Sequence, residues 1–458
     1  MSEKEFDAIV LGAGPAGEVC AGRLADGGMR VAIVESHLVG GECSYYACMP
    51  SKALLRPGEL LAEARRVPGA AQAVGGELDA GAVLERRDEV IHELDDSGQL
   101  PWLSERGIEL FRAAGRLEGE RRVIAGEHAL LARRAVVIAT GSGAAMPPIE
   151  GLAEAGAWNN RQGTTARAAP ESMIVLGGGP VGCELAQAWA TLGTRVTLVE
   201  GAGRLVGREE PFASEQLAAA LRDLHGIDVR TGAFAERVSR AGGKITLTLP
   251  DDPPVEAAEL LVAVGRRPRS EGIGLDSAGV EPGEGGYLDT DDRLRVGGRE
   301  WLYAIGDVNG RALFTHMGKY QAWVAAENLL GNEVAVSAEE IGPPRVTFTD
   351  PQIAAVGKTL AQAREDGIDA TAVDVETDGT AGASFQGKGT GGTSRIVVDR
   401  DRETIVGATF TGFEVADFLH AATIAIAGEV PLGRLRHAIA AYPTRSEVWL
   451  KLLDAYEA

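Results

Sequence analysis

Cys43 and Cys48 are the residues on which redox chemistry would be built. They stand five apart in Gly40 to Lys52, GGECSYYACMPSK, with Pro50 and Lys52 just beyond. The glycine pair loosens the backbone before the first thiol. Pro50 fixes φ near the start of a helix, where its missing N–H costs nothing. That puts the second thiol close to a helix N-terminus, where the backbone dipole favours a thiolate. The plainer reading is two small packing residues, since free cysteine packs like an apolar side chain. Only four cysteines occur in 458 residues and two of them fall here, which favours a redox pair. Cys20 and Cys183 have no spacing that supports pairing or metal binding and read as packing residues.

Such a pair needs a source of electrons, and the flanking elements supply one. Phe6 to Leu11 is a short apolar run, followed at once by Gly12-Ala13-Gly14-Pro15-Ala16-Gly17. An alanine-rich helical pattern comes next, then Val31 to Val34 ending at Glu35, 18 residues beyond the last glycine. Strand, glycine loop, helix, strand, acid is the dinucleotide-binding fingerprint. The glycines admit a pyrophosphate, the helix N-terminus faces it, and the acid takes a ribose hydroxyl. The pattern recurs with Met173 to Leu176, Gly177-Gly178-Gly179-Pro180-Val181-Gly182, a helix from Cys183 to Leu192, and Val196 to Val199 ending at Glu200. Two complete folds imply two nucleotides, or one fold kept only as scaffold. An acid at Glu200 accepts from a 2′-hydroxyl and repels a 2′-phosphate, which at a nicotinamide-nucleotide site would favour NADH over NADPH, although Arg204 lies near enough to soften the preference.

Composition bounds the alternatives. The length suits about three domains. A net charge of −21 disfavours nucleic acid, which needs a basic face, and equally an anionic membrane. No apolar run approaches the ~18 residues that span a bilayer. The N-terminal MSEKEFDAIVLGAG has neither the basic start nor the apolar core of a signal peptide. The expected setting is cytoplasmic, where a cysteine pair is more plausibly catalytic than structural.

Elsewhere, residues 53 to 100 have helical spacing. Ile108 to Ala132, split by glycines, suggests a small antiparallel insertion before a buried strand at Ala135 to Ala139. Leu260 to Val264, then Gly265, closes the second fingerprint unit. Leu302 to Ile305 runs into Gly306-Asp307. From Val346 strands and helices mix as a separate α+β module.

Cysteine pair, two fingerprints and the Gly306-Asp307 strand together resemble the pyridine nucleotide–disulfide oxidoreductases over the whole chain. The resemblance implies an α/β fold: two Rossmann-like dinucleotide-binding domains, for FAD and NAD, plus a C-terminal α+β dimerisation domain. The FAD domain would take residues 1–148 and 269–342, the NAD domain 149–268, and the dimerisation domain 343–458. It further implies that Gly12, Gly14, Gly17 and Glu35 hold the ADP half of FAD, with Gly115 near the adenine. Thr140 and Gly141 would line the cofactor, Asp307 would lie by the ribityl chain, and His316 has a lining role at best. Lys52 would sit by the flavin and pair with Glu184, whose bland reading is a solvated helix face. Gly177, Gly179, Gly182, Glu200 and Gly265 would serve the nicotinamide nucleotide. Electrons would pass from NADH through FAD to the pair, Cys48 facing the flavin and Cys43 the acceptor. The active unit would be a homodimer with a small-molecule acceptor.

The chain departs from the family pattern in two places. The family places a histidine before Pro-Thr, with a glutamate five residues on, as acid and base contributed by the partner subunit. Glu447 is present, but Tyr442 stands at the histidine position, and His437 lies five residues upstream. A phenol with pKa ~10 is a poor base near neutrality, where imidazole titrates at ~6.5. Mercuric reductases and soluble transhydrogenases also carry tyrosine there. The former add a C-terminal cysteine pair that this chain lacks, and the latter usually lack the full pair that it has. Between the cysteines, Tyr45 and Tyr46 suggest an aromatic-lined approach, or else interior packing, and Glu42 would raise the pKa of Cys43. The leading expectation is an NADH:disulfide-type flavoenzyme. Reduction of a quinone, dye or metal ion, transhydrogenation, and a flavin-bound redox sensor are the alternatives.

Overall fold

The computed structural model describes residues 2–458, which divide into two compact units. The first comprises Met1–Pro50, Asp88–Ala145 and Arg266–Glu339, and the second Ser51–Arg87, Met146–Gly265 and Glu340–Ala458.

The first unit is built on a seven-stranded sheet. Ser2–Leu11 lies at its centre, parallel to both Val31–Glu35 and His128–Ile138. Over Ala8–Leu11, Val31–Val34 and Ala135–Ile138 both faces are buried, so these stretches are continuously apolar rather than alternating with polar residues. Ala8 and Val10 enter one core with Val31 and Ile33, whereas Ile9 and Leu11 enter the other with Ala32 and Val34. Phe6 joins Ile9 and Leu11 because a register shift between Phe6 and Ala8 reverses the alternation. Helix Pro15–Asp26 starts with proline in its first turn, runs through small residues, and stops at Gly27 and Gly28, the latter with φ of 84°. Helix Thr315–Leu330 packs in the same core and ends at left-handed Gly331.

The stretch expected as a small antiparallel insertion does pair antiparallel, and it continues this sheet. Glu109–Arg112 runs parallel to Val31–Glu35, and Gly115–Leu117 pairs antiparallel with Arg122–Ala125. His128–Ile138 is one strand of 11 residues. Its first half pairs with Arg122–Ala125 and its last residues with Leu302–Ala304, so one strand serves both the hairpin and the parallel sheet.

In the second unit, Asp228–Thr231, Arg195–Glu200, Ser172–Leu176 and Glu259–Val262 form a four-stranded parallel sheet. Met173 and Val175 face helix Pro180–Thr191 and its core around Trp189, whereas Ile174 and Leu176 face a three-stranded antiparallel layer. A five-stranded antiparallel sheet, from Arg345–Thr347 to Thr404–Gly412, packs helices Leu419–Ala427 and Val448–Glu457 over Phe410 and Val398. Among the described residues no helix is long and apolar enough to cross a membrane.

Candidate active site

The glycines of the two loops are dictated by backbone crowding. Gly12 has φ of 103°, and a Cβ there would lie 2.4 Å from the Ala139 carbonyl oxygen. A Cβ on Gly17 would lie 1.9 Å from the carbonyl oxygen of Gly12, and one on Gly182 stands in the same relation to Gly177. Gly14 and Gly179, at the two helix N-termini, face open space. Each following acid is captured by backbone N–H groups. Glu35 accepts from Ala13 at 2.7 Å and His37 at 2.7 Å. Glu200 accepts from Gly178 at 2.5 Å and Ala202 at 2.6 Å. Two N–H donors fix the orientation of each carboxylate.

In the first unit Cys43 lies on the short helix Gly41–Tyr45, and Cys48 opens helix Cys48–Arg66. Both are free thiols, half-buried, and hydrogen-bonded to each other. That bond holds the Cys43 thiol well above its ordinary range, with burial adding to the effect. Thr315 opposes both: its hydroxyl lies 3.6 Å from Cys48 Sγ and also pulls the Cys43 pKa down. Lys319, one turn further along helix Thr315–Leu330, acts in the same sense. The sequence offered no signal for Thr315 beyond its place just after Gly306-Asp307.

The structure decides between the two readings of the tyrosines in this window. Tyr45 and Tyr46 do not line an approach to the thiols. They are 1% and 7% exposed and pack with Ile91, Leu38 and Leu94, and the Tyr46 hydroxyl lies 2.8 Å from His37 Nε2. The Glu42 carboxylate forms an ion pair with Arg269 at 2.7 Å, and the foremost causes that raise the Cys43 pKa are the Cys48 thiol and burial.

Asp307 accepts a hydrogen bond from the Ser142 hydroxyl, and Arg266 lies 3.5 Å from the same carboxylate. Arg266 also donates to Ser142 Oγ at 2.6 Å. Thr140 Oγ1 donates to the Arg269 carbonyl at 2.7 Å, and Gly141 carries φ of 71°. A Cβ on Gly115 would press on Leu11 and Val34. His316 is exposed and stacks on Phe314 with centroids 5.3 Å apart.

In the second unit Lys52 Nζ lies 2.6 Å from Glu184 Oε2. The side chain of Glu184 is 6% exposed, which removes the solvated-face reading. Its other oxygen accepts from the Phe348 N–H at 3.0 Å, and the Phe348 ring lies 4.6 Å from Lys52 Nζ. Gln187, one turn beyond Glu184, accepts from the Asp350 N–H at 2.8 Å, and Asp350 pairs with Arg66. The Phe348–Asp350 segment therefore fixes the Lys52–Glu184 pair from outside, a support that lay beyond sequence reading. Arg204 donates to the Glu209 and Gly207 carbonyls and the Ser214 hydroxyl. Gly265 has φ of 142° with open space at its Cβ position. Tyr442 is 77% exposed, His437 is exposed, and Glu447 has a buried oxygen without a hydrogen-bond partner. Cys20 and Cys183 are buried, and no cluster of potential metal ligands occurs among the described residues.

Residues 6–328 match the family model described as pyridine nucleotide-disulphide oxidoreductase, and residues 343–453 match that family's dimerisation domain. The chain belongs to the pyridine nucleotide-disulphide oxidoreductases. A dihydrolipoyl dehydrogenase of Chlamydia muridarum is 30% identical over 456 residues, covering 97% of this chain and 95% of the other. A mercuric reductase of Bacillus cereus is 31% identical over 448 residues, covering 97% of this chain and 70% of the other. Among solved structures, the HOCl-induced flavoprotein disulfide reductase RclA of Escherichia coli has a TM-score of 0.87 at 25% identity, covering 98% and 99% of the two chains. LpdA of Mycobacterium tuberculosis has a TM-score of 0.86 at 22% identity over the full length of both, a likeness of fold.

This oxidoreductase is therefore a flavoenzyme of the disulfide type that uses FAD and a pyridine nucleotide. Its residues fit both groups. Each loop pairs a glycine cradle that excludes any Cβ with a glycine facing open space at a helix N-terminus, the arrangement a pyrophosphate needs. Each also ends at a carboxylate already ordered by backbone donors.

Proposed function

We propose that the enzyme passes two electrons from NADH through FAD to the Cys43–Cys48 pair, and from there to a disulfide or another small-molecule acceptor. The observation that carries this reading is the pair itself: two thiols hydrogen-bonded to each other, with the Thr315 hydroxyl against them at a helix N-terminus. Bound FAD would supply the exchange between a hydride donor and a disulfide. The balance is NADH, a proton and one disulfide giving NAD⁺ and two thiols. Gly12, Gly14, Gly17 and Glu35 would hold the ADP half of FAD, with Gly115 beside it. Thr140, Gly141, Asp307 and His316 would line the remainder. Lys52 lies four residues beyond Cys48 on one continuous helix, hence on the same face. Its charge, anchored by Glu184, would favour electron density arriving on that face.

Gly177, Gly179, Gly182 and Gly265 would receive the nicotinamide nucleotide. Glu200 supports NADH as the donor, because its ordered charge repels a 2′-phosphate and Arg204 is engaged elsewhere. A homodimer is supported by the dimerisation-domain match, by Ile439 at 83% exposure in the same unit as Tyr442, and by the unpartnered Glu447 oxygen. Tyr442 and Glu447 would stand near the acceptor from the partner subunit, with the phenol a weak base. A cytoplasmic setting suits a cysteine pair used as a carrier.

Anaerobic titration with NADH tests the proposal. A working pair makes each subunit consume about two equivalents, one for the flavin and one for the disulfide, and exposes Cys43 and Cys48 to alkylation. Cys43→Ser should consume about one. Consumption of about one equivalent by the native enzyme, with both thiols unchanged, would sink the disulfide route.

A further inference from the structure

The end of the second unit's parallel sheet carries a side chain that no packing explains. Strands Arg195–Glu200 and Asp228–Thr231 run parallel with Thr231 opposite Glu200, so they finish level. The chain leaving the second is tied to the first: Gly232 N donates to Ala202 O at 2.8 Å and Ala233 N to Glu200 O at 3.0 Å. The next residue is Phe234, and it is 69% exposed. Its ring lies over Gly201, the residue after Glu200, where a Cβ would stand 2.8 Å from Cε1 and 3.0 Å from Cδ1. Glycine at 201 leaves room for the ring, and the rest of the ring faces solvent.

We propose that Phe234 is the platform on which the adenine ring of the pyridine nucleotide stacks. The assignment rests on the reading of Gly177–Glu200 as the nicotinamide-nucleotide site. Open parallel sheets bind ligands outside the carboxyl ends of their strands, which is where Glu200 and Phe234 both lie. With Glu200 on the ribose, the base joined to that sugar falls beside the neighbouring residue. A purine presents a flat π-face, and an aromatic side chain receives such a face whatever the base's hydrogen-bonding pattern. An exposed phenylalanine here thus gains a partner for the apolar surface it otherwise leaves in water.

The experiment uses the FAD-loaded enzyme and compares native protein with Phe234→Ala and Phe234→Trp. Calorimetry with ADP-ribose reads the adenosine side alone. Flavin bleaching followed by stopped flow with NADH and with reduced nicotinamide mononucleotide separates the two halves of the donor. Phe234→Ala should weaken ADP-ribose binding and the second-order rate with NADH about tenfold, and Phe234→Trp should stay near native. The rate with the mononucleotide, which has no adenine, should not change. Equal ADP-ribose affinity in the native and alanine proteins would overturn the assignment. So would a parallel loss with the mononucleotide, which would mark a collapsed site. A native enzyme that binds no ADP-ribose and ignores NADH would remove the underlying reading, and the platform with it.

Discussion

Thr315→Val removes the hydroxyl beside the cysteine pair while keeping its shape. Thr315 Oγ1 lies 3.6 Å from Cys48 Sγ, and its hydrogen bond also lowers the Cys43 pKa. A donor stabilises the thiolate, so removing it must raise the pKa. Hydrogen bonds to charged groups are worth about 1.5–3 kcal/mol. A long contact to sulfur falls at the bottom of that range, about 1.5 kcal/mol, or roughly one pKa unit. The two thiols share a hydrogen bond, so the measured quantity is the first macroscopic pKa of the pair. The assay is alkylation of the reduced enzyme by iodoacetamide across pH, with the Cys43 and Cys48 peptides quantified by mass spectrometry. Cys20 and Cys183 add little background. Both are buried, with burial pushing Cys20 up to about 12 and Cys183 also upward. The profile should move about one unit to higher pH, so alkylation well below the pKa slows about tenfold. Thr315→Ser should restore it. Coincident profiles, or a shift to lower pH, would refute the assignment of Thr315 as the opposing donor.

Two further outcomes concern Tyr442 and Glu200. Tyr442→His should raise turnover of a small disulfide by at least about tenfold, towards the ~10²–10⁴ a positioned acid–base group supplies, and Tyr442→Phe should leave it unchanged. Loss of turnover in the phenylalanine variant would show that the phenol acts. Glu200→Ser should raise the NADPH/NADH ratio of kcat/KM. A unit charge within ~4 Å of a 2′-phosphate costs about 1–4 kcal/mol, so the ratio should rise about 5- to 10³-fold. An unchanged ratio would detach Glu200 from the ribose.

What the sequence announces and what it hides divide along the range of the forces involved. The glycine loops were legible because their constraint is local: Gly17 must lack a Cβ on account of Gly12, five residues away, and Glu35 is ordered by Ala13 and His37. The α/β organisation was legible for the same reason, as continuous apolar strands report two buried faces. The electrostatics of the cysteines were not. Glu42 sits beside Cys43 in the chain, and local reasoning has it raise the Cys43 pKa. Its charge is met by Arg269, 227 residues on. The donor that does reach the thiols is Thr315, 267 residues from Cys48, and the backbone group that anchors Glu184 comes from Phe348, 164 residues away. Tyr45 and Tyr46 stayed open between two readings for a related reason. Whether an aromatic side chain turns inward depends on the surface waiting for it, here Ile91, Leu38 and Leu94, and no period within the window encodes that. A redox pair can thus be found from its own spacing and its glycine-rich neighbours. The ease with which it ionises is set by remote side chains, so that property has to be measured at Thr315 rather than inferred from Glu42.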